Sequence, residues 1–374
     1  MSRRGGRRES PATTFFDYFR SALARLPAGL IRVGGPASAG DLAAAEAALG
    51  ASLPADYAAF LRSFDGADLF QETIVIAGVG PEAPLRLQEL ASNASDGLMF
   101  ATGSEDELYA LATDGRVVRQ DAGSDERTVA GSGFGRWLDA TVAAQQVLFG
   151  PDGEYAPDVF DPSGEEVTPL IALRQAERAL KQDPGAAVWA RAQGTALMRL
   201  RRPEAAAEAL ESAAELDAGN PWGWFDLGRA CLEAGDGARA SAAFERGAGL
   251  EPGTGGAMLL AWAARARGGE AGRALASQAL RRDPGLAASL ARAIDTAAAE
   301  GDDAARLETT ALLAAIAPEQ VPPARIRLAV IDSSGDGPAE AAARGPKSPT
   351  RSPGPPRRPR RAGPRRSGAP PRGR

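Results

Sequence analysis

Two groups of side chains in this sequence have the chemistry to bind a partner. The first group combines arginines with aromatic residues, and its members are Arg191, Arg199, Trp222, Phe225 and Arg229. An arginine guanidinium presents paired N–H donors that match a carboxylate, so these arginines could clamp a carboxylate or an acidic side chain of a peptide. The second group places carboxylates beside an aromatic ring, in Asp65, Asp68 and Phe70. We expect an exposed loop there that could meet a basic partner, with a solvated loop that has no partner as the alternative.

Catalytic and metal-binding residue types are scarce. Histidine is absent, which removes the most common general base, the Ser-His-Asp and Cys-His arrangements and nearly all zinc sites. The only cysteine, Cys231, falls at a core position of a predicted helix and is expected to be a buried thiol. The glycine-rich segment 131–135 lacks the lysine of a phosphate-binding loop, and segment 332–337 lacks the closing glutamate of a calcium loop. We therefore predict no catalytic residue, no cofactor and no metal.

The elements that must position the first group are predicted by a pattern of large and small residues. In the segment 221–254, Trp224 and Phe244 stand beside the small residues Gly228 and Ala240. Small residues allow two antiparallel helices to approach closely, and the large residues fill the space beside them. A glycine-aspartate pair separates the two predicted helices, and a proline ends the second one. An upstream copy of the pattern occupies 187–220 and joins the first without a gap.

This pattern resembles the tetratricopeptide repeat, with 187–220 and 221–254 as the best units. One unit cannot bury its apolar face alone, so neighbours are expected and the solenoid is predicted to span 167–318. The resemblance implies that the first helix of each unit lines an inner groove, at the positions of the arginines and aromatic residues named above. Trp224 takes a core position, which leaves Trp222 and Phe225 free to line this groove. The alternative is that some of these side chains pack against the neighbouring domain or stay solvated.

Residues 13–155 follow a different pattern. Helices are predicted at 13–26, 41–49, 55–64 and 135–149, and strands at 74–76, 98–101, 108–112 and 116–119. Helices, then antiparallel strands, then a helix are typical of an α+β domain. Residues 1–12 are expected to be disordered. The segment 156–166 is expected to be a turn-rich linker between two independently folded units.

The residues of this domain resemble the SUKH superfamily, a fold shared by a fungal cell-wall regulator and many bacterial toxin-immunity proteins. The resemblance rests on Leu42, Glu46, Leu49, Gly50, Leu53, Pro54, Tyr57, Phe60, Leu61, Phe64, Asp65 and Gly66, and on Phe134-Gly135-Arg136-Trp137-Leu138 before the last helix. Packing explains most of these residues, because they have the spacing of a buried helix stripe. By analogy, the resemblance implies that the domain binds another protein, in bacteria often a toxin that it neutralises.

Charge is distributed unevenly along the chain. Of 43 basic and 48 acidic residues, 11 basic and no acidic ones lie in 341–374, so the remainder carries 32 basic against 48 acidic residues, a balance of −16. The proline- and arginine-rich segment 319–374 has no apolar periodicity and is predicted to be a disordered basic tail. It could bind nucleic acid through phosphate contacts, although the acidic remainder and the lack of aromatic residues between the arginines argue against this. A solvated tail without a partner, or translated GC-rich sequence from a shifted frame, are the alternatives.

Together these patterns predict an α+β SUKH-like domain, an all-α tetratricopeptide-type solenoid and a disordered basic tail. The function expected from them is that of a non-enzymatic adaptor or scaffold that binds protein or peptide partners. The alternatives are an immunity protein that neutralises a bacterial toxin, a nucleic-acid or envelope-associated adaptor that acts through the tail, and an enzyme with an unrecognised carboxylate site. A single cysteine fits a reducing compartment, and no apolar run is long enough for a membrane span or a signal peptide. We therefore expect a cytoplasmic location.

Overall fold

The computed structural model describes residues 16–91, 97–121, 126–164 and 166–321. Its first part contains α1 (Asp17–Leu23), β1 (Ile31–Val33), α2 (Ala39–Leu49), α3 (Ala55–Leu61), β2 (Ala67–Leu69), β3 (Ile74–Ile76), α4 (Leu87–Ala91), β4 (Gly97–Gly103), β5 (Leu108–Ala112), β6 (Val117–Gln120), β7 (Arg127–Gly131) and α5 (Phe134–Gln145). Residues 1–12 and 322–374, both predicted to be disordered, lie outside the described residues. The start of the predicted tail is folded, because Val321 is buried in the core of the helices that precede it.

The strands form one antiparallel sheet in which each strand pairs with its neighbours in sequence, from β1 at one edge to β7 at the other. The hairpin predicted around Asp114-Gly115 is confirmed, since Leu111 pairs with Val117 and Gly115 has a φ of 86°. Ser38 caps α2 as predicted and accepts a hydrogen bond from the Asp41 N–H. The sequence did not predict β1, β2 or β7, and β7 proves to be the strand that meets the second part of the chain.

Aromatic side chains from α3 and α5 form the core beneath this sheet. The ring of Phe134 lies 5.0 Å from that of Tyr57 and 5.2 Å from that of Phe60, between ring centroids. Trp137 meets Phe100 of β4 edge to face at 4.9 Å. All of these rings are buried, so the packing role expected for this stripe is confirmed. The hydroxyl of Tyr57 donates to the Ala77 carbonyl, and burial raises the pKa of Tyr57 above its ordinary value.

The second part of the chain is a run of antiparallel helices. These are α6 (Pro169–Gln182), α7 (Ala187–Arg199), α8 (Pro203–Leu216), α9 (Pro221–Glu233), α10 (Gly237–Leu250), α11 (Thr254–Arg267), α12 (Gly269–Arg282), α13 (Leu286–Glu300) and α14 (Asp303–Ile316). Consecutive helices pack side by side from α6 to α12. The close approaches occur at glycine, because a Cβ at Gly194 would lie 2.4 Å from Leu210, and one at Gly228 would lie 2.5 Å from the Phe244 ring. The small-and-large pattern of the sequence therefore reports direct helix contacts.

Two glycine substitutions test this packing, because they should change the free energy of unfolding in opposite directions. Gly228→Ala should lower the free energy of unfolding by about 1–3 kcal/mol, because the new methyl group overlaps the Phe244 ring. Gly249→Ala lies in α10, meets no atom within 4 Å, and should raise that free energy by about 1 kcal/mol through better helix propensity. Urea unfolding of both variants measures the two changes. Changes of the same sign would contradict this account of the helix contacts.

The regular order of the helices changes at the end of the solenoid. From α8 to α11, the first helix of each unit packs against the second helix of the unit before it. At the next step α14, rather than α13, makes most of the contacts with α11 and α12. Leu312, Leu313 and Ile316 of α14 are buried in the solenoid core. The last helix therefore folds back onto the solenoid.

The two parts of the chain share a continuous packed junction, and the expectation of two independently folded units stays a prediction. All described residues belong to one compact unit. Ala140 and Ala144 of α5 pack against Ala179 of α6, with Trp189 of α7 beside them. The turn-rich segment 156–166 contributes as well, because Val159 is fully buried with Leu148 and Ile171. Helix α5 thus stands beside α6 as the first helix of a repeat unit stands beside the second. The bounds 13–155 and 167–318 for the two domains stay predictions.

Candidate functional site

Helix α9 carries the aromatic residues that the sequence singled out. Trp224 is only 4% exposed and lies in the solenoid core, whereas Trp222 and Phe225 are half-buried. Phe225 has two neighbours besides Trp222, since its ring centroid lies 5.9 Å from that of Phe244 and 5.6 Å from that of Trp262. Phe225 therefore supports the core with one side of its ring. Of the two predicted groove aromatics, Trp222 is the one outside the hydrophobic core.

Each of the three predicted arginines already contacts a carboxylate of the same chain. Arg229 pairs with Glu308 of α14 at 3.0 Å, and its guanidinium lies 5.5 Å from the centre of the Trp262 ring. Arg199 pairs with Glu166 at 2.9 Å. The guanidinium groups thus bind carboxylates of the chain itself, and the binding of a peptide carboxylate by these arginines stays a prediction.

Arg191 joins the two parts of the chain. It pairs with Asp226 of α9 at 2.6 Å and with Glu126, just before β7, at 3.0 Å. Burial works against the charged form, but the two carboxylates outweigh it, so the pKa of Arg191 is raised above its ordinary value. For Arg191 the structure corresponds to the alternative, in which a predicted groove residue packs against the neighbouring domain.

Strand β7 is an edge strand of the sheet, and a row of carboxylates of the solenoid lies along the edge that has no partner strand. The Ser132 N–H donates to Asp183 at 2.7 Å and the Ser132 hydroxyl at 2.8 Å, while the Val129 N–H donates to Asp217 at 3.3 Å. Asp183 follows α6 and Asp217 follows α8, so both occupy the same position in consecutive repeat units. An uncovered strand edge offers unpaired N–H groups to other chains. Here the solenoid carboxylates accept hydrogen bonds from two backbone N–H groups and one hydroxyl at that edge.

A pocket of about 450 Å³ continues this row beside Trp222. Glu126, Asp217, Asn220 and Glu251 line it together with the indole. Burial raises the pKa of Asp217 above its ordinary value, while hydrogen bonds from Val129 and Asn220 oppose the shift. The exposed part of the Trp222 side chain therefore borders a pocket lined by polar groups.

The second predicted group is buried, and the expectation of an exposed loop there is wrong. Asp68 lies on β2 between two other strands, is 5% exposed and accepts hydrogen bonds from Arg32. Asp65 accepts hydrogen bonds from the N–H groups of Val79 and Gly80 at 2.7 and 2.9 Å. Phe70 stacks on Phe149 at 5.4 Å. A three-residue strand is too short to show the alternating pattern that would have revealed it.

The remaining features of the described ranges concern metal-binding clusters, free thiols and membrane-spanning helices. No group of three or more His, Cys, Asp or Glu side chains that could hold a metal ion occurs in them. Cys231 is a buried free thiol whose pKa is raised by burial. Among the described helices, none combines the length and the apolarity that crossing a lipid bilayer would require.

Comparison with known families agrees with this order of elements. Residues 36–140 match the SMI1 / KNR4 family (SUKH-1), and residues 190–263 match the tetratricopeptide repeat. The chain carries a SUKH-type domain followed by tetratricopeptide repeats. The Tyr57–Phe134 core thus belongs to the SUKH-type domain, and α7 to α10 hold the two best repeat units. No functionally curated protein matches the sequence at a significant level.

Solved structures similar to part of the chain include those of two proteins, YrrB and MamA. One is YrrB, described as a TPR protein with an unusual peptide-binding site, with 19% identity, a TM-score of 0.29, and coverage of 44% of this chain and 84% of YrrB. The other is MamA, with 16% identity, a TM-score of 0.28, and coverage of 43% of this chain and 89% of MamA.

Proposed function

We propose that this protein is a non-enzymatic adaptor whose solenoid groove binds a segment of a partner protein. The observation that supports the proposal is the surface of α9, where Trp222 and Arg229 are half-buried while Trp224 fills the core. Tetratricopeptide solenoids use their concave surface for binding, and tryptophan and arginine are the residues most enriched at binding hot spots. A buried free thiol at Cys231 fits the reducing, cytoplasmic location that we propose with it.

The carboxylates that the arginines already hold indicate the chemistry of the partner. Arg229 and Arg199 present their guanidinium groups to Glu308 and Glu166, and both arginines remain partly exposed. An acidic side chain of a partner could replace either contact, because exposed ion pairs are worth about 0.2–1 kcal/mol and exchange readily. A bound segment would therefore place an apolar side chain near Trp222 and a carboxylate near Arg229.

Toxin immunity is the second candidate function, and the SUKH-1 match at 36–140 favours it. In that case the SUKH-type domain would bind a toxin and the solenoid would support it. Co-expression of the full chain with a toxin encoded nearby tests this candidate. Growth of the host is the expected result for immunity, and continued killing would eliminate it for that toxin. The basic tail that motivated a nucleic-acid or envelope alternative lies outside the described residues and has no part in the proposal.

The groove proposal predicts that Trp222→Ala combined with Arg229→Ala weakens capture of the principal partner by about 10-fold or more. Both side chains are partly exposed, so the fold should survive. Phe225 is left unchanged because its ring packs against Phe244 and Trp262. Pull-down from the native host with quantitative mass spectrometry compares the wild type with the variant.

A control variant truncates one apolar side chain and one arginine outside the groove. Leu250→Ala combined with Arg273→Ala truncates an exposed apolar side chain and an exposed arginine on the second helices of their units. This control should capture the partner as the wild type does. Equal capture by the groove variant, or equal loss in the control, would refute the groove as the binding surface.

A further inference from the structure

A second cleft lies outside the groove, where the SUKH-type domain meets α6. It has a volume of about 740 Å³ and is bordered on one side by α1 and the end of α5, and on the other by α6. Leu26, Val147 and Phe149 contribute apolar surface, and Arg174, Arg178 and Lys181 line it from α6. The cleft thus combines an apolar wall with a basic wall.

The basic wall is a single stripe of one helix. Arg174, Arg178 and Lys181 are spaced four and three residues apart, which places them on one face of α6 in successive turns. All three are exposed, and none forms an ion pair with a carboxylate of the described residues. The groove arginines differ in this respect, because each holds a carboxylate of the chain.

The lining of the cleft is positively charged, whereas the rest of the folded chain is acidic. Arg25 adds a fourth cation to the lining, held by a hydrogen bond to the Ser21 carbonyl, and Glu177 is the one carboxylate in that lining. Residues 1–340 carry a balance of −16. Four cations around one cleft of an acidic protein favour a ligand that brings negative charge to this place.

We propose that this cleft binds an acidic, extended segment of a partner protein, with carboxylates at alternate positions and apolar side chains between them. The proposal rests on the proposed function only in that the protein binds other proteins, and it concerns a different surface. In an extended strand, alternate residues point to the same side about 7 Å apart. Side chains one helical turn apart lie about 5–6 Å from each other. Alternate carboxylates can therefore meet the stripe on α6 while the intervening side chains meet the wall formed by Leu26 and Phe149.

The same features favour a peptide over a nucleic acid. A nucleic acid needs a long basic track along its phosphates, whereas this stripe covers only about two turns of helix and the acidic remainder would repel the flanking phosphates. The apolar wall can bury an apolar side chain of a peptide, whereas it offers a phosphate no hydrogen bond or charge. Nucleic-acid binding is accordingly an outcome that the test must distinguish.

The test uses fluorescence anisotropy with the full chain and short labelled probes. The main probe is a peptide that alternates glutamate with phenylalanine, and the others are its glutamine counterpart, its lysine counterpart and a short single-stranded DNA. The glutamate peptide should bind, and its affinity should fall as salt rises from about 50 mM to about 200 mM. Equal binding of the glutamine peptide, or binding of the DNA in preference to the glutamate peptide, would overturn the proposal.

Charge reversal on α6 supplies the decisive variant. Arg174→Glu combined with Arg178→Glu should weaken binding of the glutamate peptide by at least about 10-fold and should create binding of the lysine peptide. Arg273→Glu combined with Arg281→Glu makes the same change of net charge on exposed residues of α12 and should leave both affinities at wild-type values. If the two double variants weaken the glutamate peptide equally, the cleft is not its site. Gain of lysine-peptide binding in the α6 variant shows that this variant is folded.

The experiments distinguish a failure of the groove proposal from a failure of the cleft proposal. The groove can also take a glutamate and a phenylalanine, at Arg229 and Trp222, but neither residue lines the cleft. Trp222→Ala combined with Arg229→Ala should therefore retain the part of the glutamate-peptide binding that the α6 variant loses. If native partners are captured equally with and without the groove residues while the α6 variant loses the peptide, the groove proposal fails and the cleft stands. If the α6 variant keeps the peptide while the groove variant loses its partner, only the cleft proposal is overturned.

Discussion

Trp224→Ala is expected to lower the free energy of unfolding by about 3–5 kcal/mol, the usual cost of truncating a large buried aromatic residue. Trp224 is 4% exposed and belongs to the solenoid core. Its Nε1–H donates to the Ala218 carbonyl at 3.1 Å, and the Arg246 guanidinium lies 4.1 Å from the centre of its ring. The substitution removes this hydrogen bond and this stacking contact, and leaves a cavity between α9 and its neighbours.

Trp222→Ala is the matched control, because it makes the same chemical change two residues away on the same helix. Trp222 is half-buried and its nearest aromatic contact is Phe225, at 6.1 Å between ring centroids. We expect a loss of about 1 kcal/mol, as for a partly exposed side chain. Circular dichroism during urea unfolding measures both variants. Equal losses would show that the assignment of one tryptophan to the core and the other to the groove is wrong.

The sequence predicted the repeat contacts because they are local and steric. Gly228 has to be small since Phe244, sixteen positions along the chain, occupies the space where its Cβ would be. Such a pair lies within one unit and recurs in the next, as Gly194 and Leu210 show. The buried stripe of α3 was predicted for the same reason, because its period is that of a helix. A pattern that arises from contacts between two helices adjacent in the chain can be recognised in a single sequence.

Contacts between the two domains left no comparable pattern. Strand β7 was missed because Arg127–Gly131 has no alternation of apolar and polar residues. The pairing of Arg191 with Glu126 depends on the docking of that strand against α7, which no local rule specifies. One signal was available: Asp183, Asp217 and Glu251 are spaced by the length of one unit, 34 residues in each case. A carboxylate that recurs at the end of the second helix of each unit indicates a row of hydrogen-bond acceptors on one side of the solenoid.

Asp183→Ala is expected to lower the free energy of unfolding by about 2–6 kcal/mol, because two backbone donors in a buried region would lose their acceptor at about 1–3 kcal/mol each. Asp183 is fully buried. Its carboxylate accepts hydrogen bonds from the Ser132 N–H and hydroxyl, and from the Gly185 N–H at 3.0 Å. The first two cross from the solenoid to the SUKH-type domain. We therefore expect earlier urea unfolding and faster proteolytic cleavage of the segment 150–164.

Asp283→Ala is the control variant. It separates the contribution of the junction to the free energy of unfolding from the contribution of the Asp-Pro-Gly turn. Asp283 ends α12 in the same Asp-Pro-Gly sequence, and its carboxylate accepts the Gly285 N–H at 2.9 Å as that of Asp183 accepts the Gly185 N–H. It has no hydrogen bond to the SUKH-type domain, so its loss should cost about 1 kcal/mol, the usual net value of one hydrogen bond. The difference between the two variants measures what the contacts with Ser132 contribute. Equal destabilisation would mean that the Asp183 carboxylate stabilises only its own turn and that its contacts with Ser132 contribute nothing to the junction.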